Sequence, residues 1–342
     1  MVQEPIYTSI IPTIGPSLSE EGALEKAVQA GADGFRLNFA HGTLEEHARV
    51  VGIIRERWAE MPILGDLPGG KIRLKDNFPP TVVQDGEIVY LTRGKVGDKE
   101  FPIAADEFLW GIFQAYAPGK ELYLGDGKLR LGVRKADEAA LECEVLAGGG
   151  NVIKPRAGLY LPGFVFSIED ALQSDKPYMQ FIVEQKIPLV GIPFVLDDVH
   201  IATYRVAFTR LETRPSVFAK MEHEMGLRKM DSVITAADII MVPRGDLGMV
   251  VGLEQLPKYQ EEIIRKSKER GKPVYVAGRM LESMMEEEIP SEADKQDVEH
   301  ALQQNVDGLI LTDTTAIGKY PIQAIAWLAR VREKYREEVC TK

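Results

Sequence analysis

Cysteine is scarce in this chain of 342 residues, which contains only Cys143 and Cys340. The two cysteines lie far apart in charged segments, so the sequence has neither a disulfide framework nor a zinc-binding spacing. We therefore expect a protein of a reducing compartment, the cytoplasm.

Long hydrophobic runs are also missing. The longest uncharged apolar stretch, IPLVGIPFVL at 187–196, is too short to cross a bilayer. The first residues lack the basic region and the apolar region of a secretory signal. We therefore expect no association with membranes.

Basic residues are fewer than acidic ones, 41 against 52, which gives a formal net charge of −11. An acidic surface disfavours sequence-independent binding to nucleic acid, so we expect no nucleic-acid partner. Hydrophobic residues make up 45% and charged residues 27%, as in ordinary globular proteins. The chain can therefore bury a full core.

Short β-branched or apolar runs alternate along the chain with charged stretches of helical period. The runs predict eight strands, at Tyr7–Thr13, Gly34–Phe39, Pro62–Asp66, Leu189–Phe194, Val217–Glu222, Asp238–Pro243, Pro273–Ala277 and Gly308–Thr312. The predicted helices are Ser19–Ala30, Leu44–Glu60, Ser167–Gln185, a short segment after Gly226, Leu256–Arg270, Ser291–Asn305 and Pro321–Glu338.

Eight strands joined by helices predict an α/β fold of the (β/α)₈ TIM barrel type, because helical crossovers keep successive strands parallel. An open doubly wound sheet is the alternative. It is more typical of chains with fewer strands or with a dinucleotide-type glycine loop after the first strand, and the sequence PTIGP is not such a loop.

One stretch interrupts the alternation of strands and helices. Residues 74–162 form short alternating runs with turn signals such as Asp85-Gly86 and Asp126-Gly127. They predict an all-β domain inserted after strand three, with the barrel formed by 1–73 and 163–342. Because barrel loops after strands lie on the functional face, we expect the insert to act as a lid, although a decorative insert is the alternative.

Charged residues close several of the predicted strands. Strand periodicity directs Arg36 toward the barrel axis, and Lys220 and Glu222 share one face of strand five. Strand six runs into a charged turn that contains Asp246. Two carboxylates with room for water suit Mg²⁺, and Lys220 would supply positive charge for a phosphoryl group or an enolate. A buried structural ion pair and a surface turn are the alternative interpretations.

These segments match the motifs of a known family in order and approximate spacing. The matching strings are TIGP (13–16), RLNFAHG (36–42), GDLPGGKIR (65–73), GDG (125–127), LPG (161–163), KMEHEMG (220–226), MVPRGDLG (241–248), AGRMLESM (277–284) and DTTAIGKYP (313–321). Over residues 8–330 the chain resembles pyruvate kinase.

The resemblance implies a glycolytic phosphotransferase that moves the phosphoryl group of phosphoenolpyruvate to ADP. It implies Lys220 and Arg36 as catalytic residues and Mg²⁺ (or Mn²⁺) held by Glu222 and Asp246. It also implies contacts of the substrate with the backbone amides of Gly245 and Asp246. The remaining implied positions are a monovalent-cation group, Asn38 and Asp66, and a nucleotide group, Arg73, His41 and Arg156. For His41, a structural hydrogen bond is the alternative.

The chain departs from the family at the monovalent-cation site. Ala40 and Leu67 stand where family members have serine and threonine, and Lys71 occupies a position where relatives that do not need K⁺ are similar. We therefore expect the Lys71 ammonium to replace the ion and the activity to be independent of K⁺.

A second departure concerns the substrate. Gly278 takes the substrate-binding position of a threonine that in the family lies beside the substrate carboxylate, and Arg279 follows it. A lysine near the nucleotide is also missing, with Arg156 as a possible substitute. Two alternatives thus stay open: a related enzyme acting on a different 2-oxo acid or enol phosphate, and a catalytically weak binding or regulatory relative.

The sequence ends shortly after the last predicted helix, whereas typical family members continue into a C-terminal effector domain. We expect that domain, with its effector control, to be absent, and we expect a homodimer formed through the barrel.

Overall fold

The computed structural model describes residues 7–94, 97–104, 110–111, 115, 119–125, 127–164 and 167–340. The predicted turn at Asp126 lies outside the described residues. The chain divides into two compact units. The first comprises Met1–Gly69, Ile168–Leu247 and Val251–Lys342, and the second comprises Gly70–Ser167 with Gly248–Val250.

In chain order the strands are β1 (Ser9–Pro12), β2 (Phe35–Asn38), β3 (Ile63–Asp66), β4 (Ile72–Arg73), β5 (Thr81–Val82), β6 (Ile88–Thr92), β7 (Glu100–Pro102), β8 (Glu121–Leu124), β9 (Leu129–Ala136), β10 (Ala140–Ala147), β11 (Val152–Ile153), β12 (Gly158–Tyr160), β13 (Leu189–Ile192), β14 (Ser216–Lys220), β15 (Ile239–Pro243), β16 (Val274–Ala277) and β17 (Gly308–Leu311). The helices are α1 (Glu21–Gln29), α2 (Leu44–Arg57), α3 (Ile168–Glu184), α4 (Asp198–Arg210), α5 (Glu224–Arg228), α6 (Met230–Ala236), α7 (Arg244–Val251), α8 (Leu256–Glu269), α9 (Glu292–Gln303), α10 (Asp313–Ala316) and α11 (Pro321–Cys340). Two 3₁₀ turns cover Pro16–Leu18 and Glu282–Met285.

Eight parallel strands of the first unit form one sheet in the order β1-β17-β16-β15-β14-β13-β3-β2. The two ends of this sheet meet where Thr13 bridges Arg36 in parallel and the Ile14 amide donates to the Arg36 carbonyl at 2.9 Å. The (β/α)₈ barrel is therefore confirmed, and all eight predicted strands are present. Because parallel strands run the same way, their C-terminal ends gather at one rim.

Three aspartates repeat one arrangement at the N-terminal ends of the strands. Asp33, Asp238 and Asp307 each precede a strand, and each accepts from a backbone amide of a neighbouring strand at 2.7 to 2.9 Å. Each also binds a helix cation, in turn Arg332, Arg205 and Lys268. A carboxylate that satisfies an end-of-strand amide and a helix cation ties the sheet to the helices, which makes this rim structural.

The predicted helices are present, and side chains satisfy the first amides of two of them. Thr43 and Glu46 form a capping box at α2, and Ser291 and Asp294 form another at α9. Helix α4 was missed by the sequence analysis. Its apolar residues do not lie on one face, since Val199 and Val206 are more than half exposed. The sequence therefore lacks the period of three to four that indicates a helix.

The second unit is built mainly of β-strands and has its own hydrophobic core. Its main sheet has the order β4-β12-β8-β9-β10-β6-β7 and is largely antiparallel, and β11 pairs with β5 separately. Most of this unit follows β3 in the chain, where the sequence predicted an inserted all-β domain, and its sheets are the β part of that prediction. Its function as a lid stays a prediction.

Across the part of the chain that the structure describes, no helix has the length and apolar character needed to span a membrane.

Candidate active site

The end of strand β3 places a buried carboxylate between two cations. Asp66, 1% exposed, accepts from Arg36 Nε at 2.8 Å, and Arg36 Nη2 lies 2.6 Å from the same oxygen. The other carboxylate oxygen lies 3.2 Å from Lys220 Nζ. Arg36 also donates to the Thr13 hydroxyl at 3.0 Å. The anion that an inward-facing arginine requires is therefore supplied by the neighbouring strand.

Lys220 is the buried amine of this cluster. Its Nζ lies 3.4 Å from Glu222 Oε1 in addition to Asp66. Burial alone would lower the pKa of the Lys220 amine, but the negative charges of Asp66, Glu222 and Asp246 raise it above its ordinary value. Burial alone would raise the pKa of Asp66, but the charges of Lys220 and Arg36 lower it below its ordinary value. Both groups are therefore charged at neutral pH.

Glu222 is held by the loop that follows strand β13. Its side chain is fully buried, and Oε1 accepts from the Phe194 backbone amide at 3.1 Å. Phe194 has φ of +48°, an unusual conformation for a bulky residue, so this loop is bent to aim its amide at the carboxylate. This hydrogen bond fixes the position of one oxygen of the Glu222 carboxylate, Oε1.

Gly245 and Gly278 lie close together, just beyond the C-terminal ends of the neighbouring strands β15 and β16. A Cβ atom built on Gly278 would come no closer than 3.7 Å to the Gly245 amide nitrogen, and one built on Gly245 would contact nothing within 4 Å. Gly278 has φ of +83°, which favours glycine. The Gly245 and Asp246 amides are in the first turn of α7, which is a favourable place for an anion.

Arg244 supports this turn and was not selected from the sequence. It is 6% exposed, donates from Nε to the Gly278 carbonyl at 2.8 Å and pairs with Asp297 at 2.6 Å. The residue therefore couples the start of α7 to the end of β16. The RGDLG string contained it, but nothing in the string indicated its partners.

Two other predicted residues lie near the end of strand β2. The Asn38 side chain accepts from the Ala40 amide at 3.2 Å within a local turn. The His41 carbonyl accepts from the His47 imidazole at 2.9 Å, and the His41 side chain is exposed. Their predicted roles toward a monovalent cation and a nucleotide stay predictions.

Three predicted residues belong to the second unit. Arg73 donates to the Arg156 carbonyl at 3.1 Å, so these two nucleotide-site candidates are neighbours. The Lys71 stem packs where a side chain on Gly158 would otherwise lie. Lys71 immediately precedes β4, Arg73 lies on β4, and Arg156 lies in the turn before β12, the strand that pairs with β4.

The proposed metal ligands are suitable for a hard divalent ion. Glu222 and Asp246 both offer carboxylate oxygens, and both act electrostatically on Lys220. Among the described residues no group of three or more His, Cys, Asp or Glu side chains is arranged to hold a metal. An ion at Glu222 and Asp246 would therefore complete its shell with water and substrate oxygens, as Mg²⁺ commonly does.

A buried acid behind the site was also missed by the sequence analysis. Asp175 of α3 is fully buried, accepting from the Gly69 amide at 2.9 Å and from the Tyr204 hydroxyl at 2.7 Å. Burial, reinforced by the charge of Asp66, raises the pKa of Asp175 to about 7, despite the two hydrogen bonds and Lys220, which lower it. An acid inside a helical stretch gives no sequence signal of such a position.

Comparison with known proteins agrees with this arrangement. Residues 6–325 match the family model described as pyruvate kinase, barrel domain. The chain is 33% identical over 340 residues to a pyruvate kinase of Thermococcus litoralis, covering 97% of this chain and 71% of that protein.

Two further relatives are bacterial. A pyruvate kinase of Agrobacterium vitis is 32% identical over 335 residues, covering 96% of this chain and 68% of that protein. Pyruvate kinase 2 of a Synechocystis species is 31% identical over 348 residues, covering 98% of this chain and 57% of that protein.

Proposed function

The chain belongs to the pyruvate kinase family, and on that basis we propose that it is an enzyme that transfers the phosphoryl group of phosphoenolpyruvate to ADP with Mg²⁺ or Mn²⁺. The observation that carries the proposal is the cluster of Lys220, Asp66 and Glu222 at the C-terminal rim of the barrel. Active sites of this fold lie at that rim.

Lys220 acts by its charge. Its raised pKa keeps the amine protonated at neutral pH, so it stabilises negative charge on the phosphoryl group and the enolate. An amine that holds its proton this firmly is a poor proton donor. The proton that converts the enolate to pyruvate is therefore delivered by another group or by water.

Arg36 is the second catalytic cation and contacts the phosphoryl group. Its side chain is held in place by Asp66 and Thr13, which leaves little rotamer freedom to lose when substrate binds. The Gly245 and Asp246 amides bind the substrate carboxylate, and Gly278 leaves space beside them.

Glu222 and Asp246 would hold the divalent ion, which when bound neutralises charge on the phosphate and the oxo acid. The protein's own part is to place both carboxylates where their negative charge acts on Lys220 and raises the pKa of its amine.

Arg73, His41 and Arg156 bind the nucleotide in this proposal, and the β unit acts as a lid that excludes water. Asp66 is already paired with Arg36 and Lys220, which supports catalysis without K⁺, and Lys71 is the proposed replacement for the ion. Turnover that is the same in sodium-only and potassium buffers supports this proposal, and a strong requirement for K⁺ contradicts it. A cytoplasmic location and a homodimer stay predictions.

The absence of a side chain at Gly278, where the family has a threonine, favours one alternative, a larger 2-oxo acid or enol phosphate as substrate. Rates of the reverse reaction with pyruvate and with 2-oxobutyrate distinguish the two. A preference for 2-oxobutyrate selects the alternative.

The main test measures pyruvate formed from phosphoenolpyruvate and ADP with Mg²⁺. We expect Lys220→Met to lower kcat by about 10³-fold or more. Lys268→Met is the matched control, because Lys268 also pairs with an aspartate, Asp307, but at the N-terminal rim. Absence of turnover with Mg²⁺-dependent binding of oxalate would favour another substrate, and absence of both would indicate a binding relative.

A further inference from the structure

The pair formed by Asp175 and Tyr204 lies outside the residues that act on substrate, yet it reaches the site by two routes. Both side chains are fully buried, on α3 and α4 respectively. The Tyr204 hydroxyl donates to one carboxylate oxygen of Asp175 at 2.7 Å, and the Gly69 amide donates to the other at 2.9 Å.

The first route runs through Gly69 to Asp66. Gly69 lies in the turn that follows β3, three residues after Asp66, and has φ of +61°. A side chain on Gly69 would overlap the Pro193 ring, so the turn is packed tightly on the loop after β13. The hydrogen bond from Gly69 to Asp175 therefore anchors the segment that aims Asp66 at Arg36 and Lys220.

The second route runs through that loop to Glu222. Pro193, which contacts Gly69, precedes Phe194, whose amide donates to Glu222. Two residues later the Leu196 amide donates to His200 Nδ1 at 3.2 Å, and the His200 ring lies 5.4 Å from the Tyr204 ring. Burial lowers the pKa of His200 to about 4, so the imidazole is a neutral acceptor at pH 7. Tyr204 thus packs beside His200, the side chain that holds the loop after β13 at Leu196.

We propose that Asp175 and Tyr204 are positioning residues of the kinase site. They hold the turn at Gly69 and the loop after β13, so that Asp66 and Glu222 stay paired with Lys220. The proposal rests on the function proposed above. Its physical basis is that catalytic side chains depend on the surrounding residues that hold them in position. A displacement of a catalytic group by about 1 Å can lower the rate up to 10²-fold.

The test uses Tyr204→Phe, which removes one hydroxyl and keeps the ring. We expect kcat to fall by roughly tenfold or more, while KM for phosphoenolpyruvate changes by less than about twofold. Hydrogen exchange measured by mass spectrometry should be faster in peptides covering 66–70 and 193–197.

Tyr7→Phe is the matched control, because the Tyr7 hydroxyl also donates to a carboxylate, that of Asp33, at 2.6 Å. This pair lies at the opposite end of the barrel, so kcat and the exchange of both segments should stay at wild-type values. Asp175→Asn is the second variant, since it keeps the size of the side chain. It should lower kcat without lowering the melting temperature at pH 8.

Wild-type kcat and wild-type exchange in Tyr204→Phe and Asp175→Asn would overturn the proposal. An equal loss of kcat in Tyr7→Phe would also overturn it, since the effect would then be one of general stability. If the wild-type enzyme makes no pyruvate, the proposed function fails, and the exchange of the two segments still decides whether Asp175 and Tyr204 hold them.

Discussion

Asp175 should make the stability of the wild-type protein fall as the pH rises, and replacing it by asparagine should remove this dependence. The pKa of Asp175 is about 7 in the folded chain and 3.8 in the unfolded reference, mainly because burial penalises the ionised form. The folded state therefore binds more protons than the unfolded state between these values, and the contribution of Asp175 to stability falls as the pH rises.

The size of the effect follows from linkage. Between pH 5 and pH 8 the raised pKa makes the wild-type protein lose about 2 to 3 kcal/mol of unfolding free energy. Asparagine does not ionise and does not carry this cost. We therefore expect Asp175→Asn to gain about 2 to 3 kcal/mol relative to the wild type when the pH rises from 5 to 8.

The assay is urea unfolding of both proteins at several pH values, followed by tryptophan fluorescence and analysed with one common slope. Tyr204→Phe provides an internal check, since loss of a hydrogen bond that lowers the pKa of Asp175 should move the pH window upward. A stability difference between wild type and Asp175→Asn that stays constant from pH 5 to pH 8 would refute the reasoning.

Three further substitutions test other contacts by the same unfolding measurement. Gly69→Ala should cost about 1 to 3 kcal/mol, because φ is positive and the methyl group meets Pro193, and an unchanged midpoint would contradict this. Asp66→Asn should cost on the order of 3 to 5 kcal/mol, since it leaves two buried cations without their shared anion, and a loss below 1 kcal/mol would argue against that pairing. Asp307→Ala should cost about 1 to 3 kcal/mol yet leave kcat unchanged, because its partners lie at the structural rim, and a large fall in kcat would show otherwise.

Local sequence was sufficient to predict the barrel. Each of the eight strands is a short buried run bounded by turn residues, and a regular alternation with helices leaves few ways to arrange them. Charged residues at the ends of such strands also predicted the Lys220 and Glu222 cluster, because parallel strands bring their C-terminal ends to one rim.

Helix α4 shows where the local pattern fails. Val199 and Val206 are exposed, so the apolar residues of this helix are not confined to one face. The sequence therefore shows no clear helical period here. The helix is nevertheless well placed in the fold, because Asp197 caps its start and Tyr204 and Phe208 bury one side.

The sequence alone therefore determined the class of fold, the family and the residues that carry charge to the site, since these follow from local periodicity and from motifs. The partners of those charges depended on the folded chain. Asp66 serves two cations, one of them 154 positions away in the sequence, and Asp175 holds a glycine 106 positions away. Such pairings are set by how strands and helices pack, and packing of distant segments leaves no periodic trace in either segment.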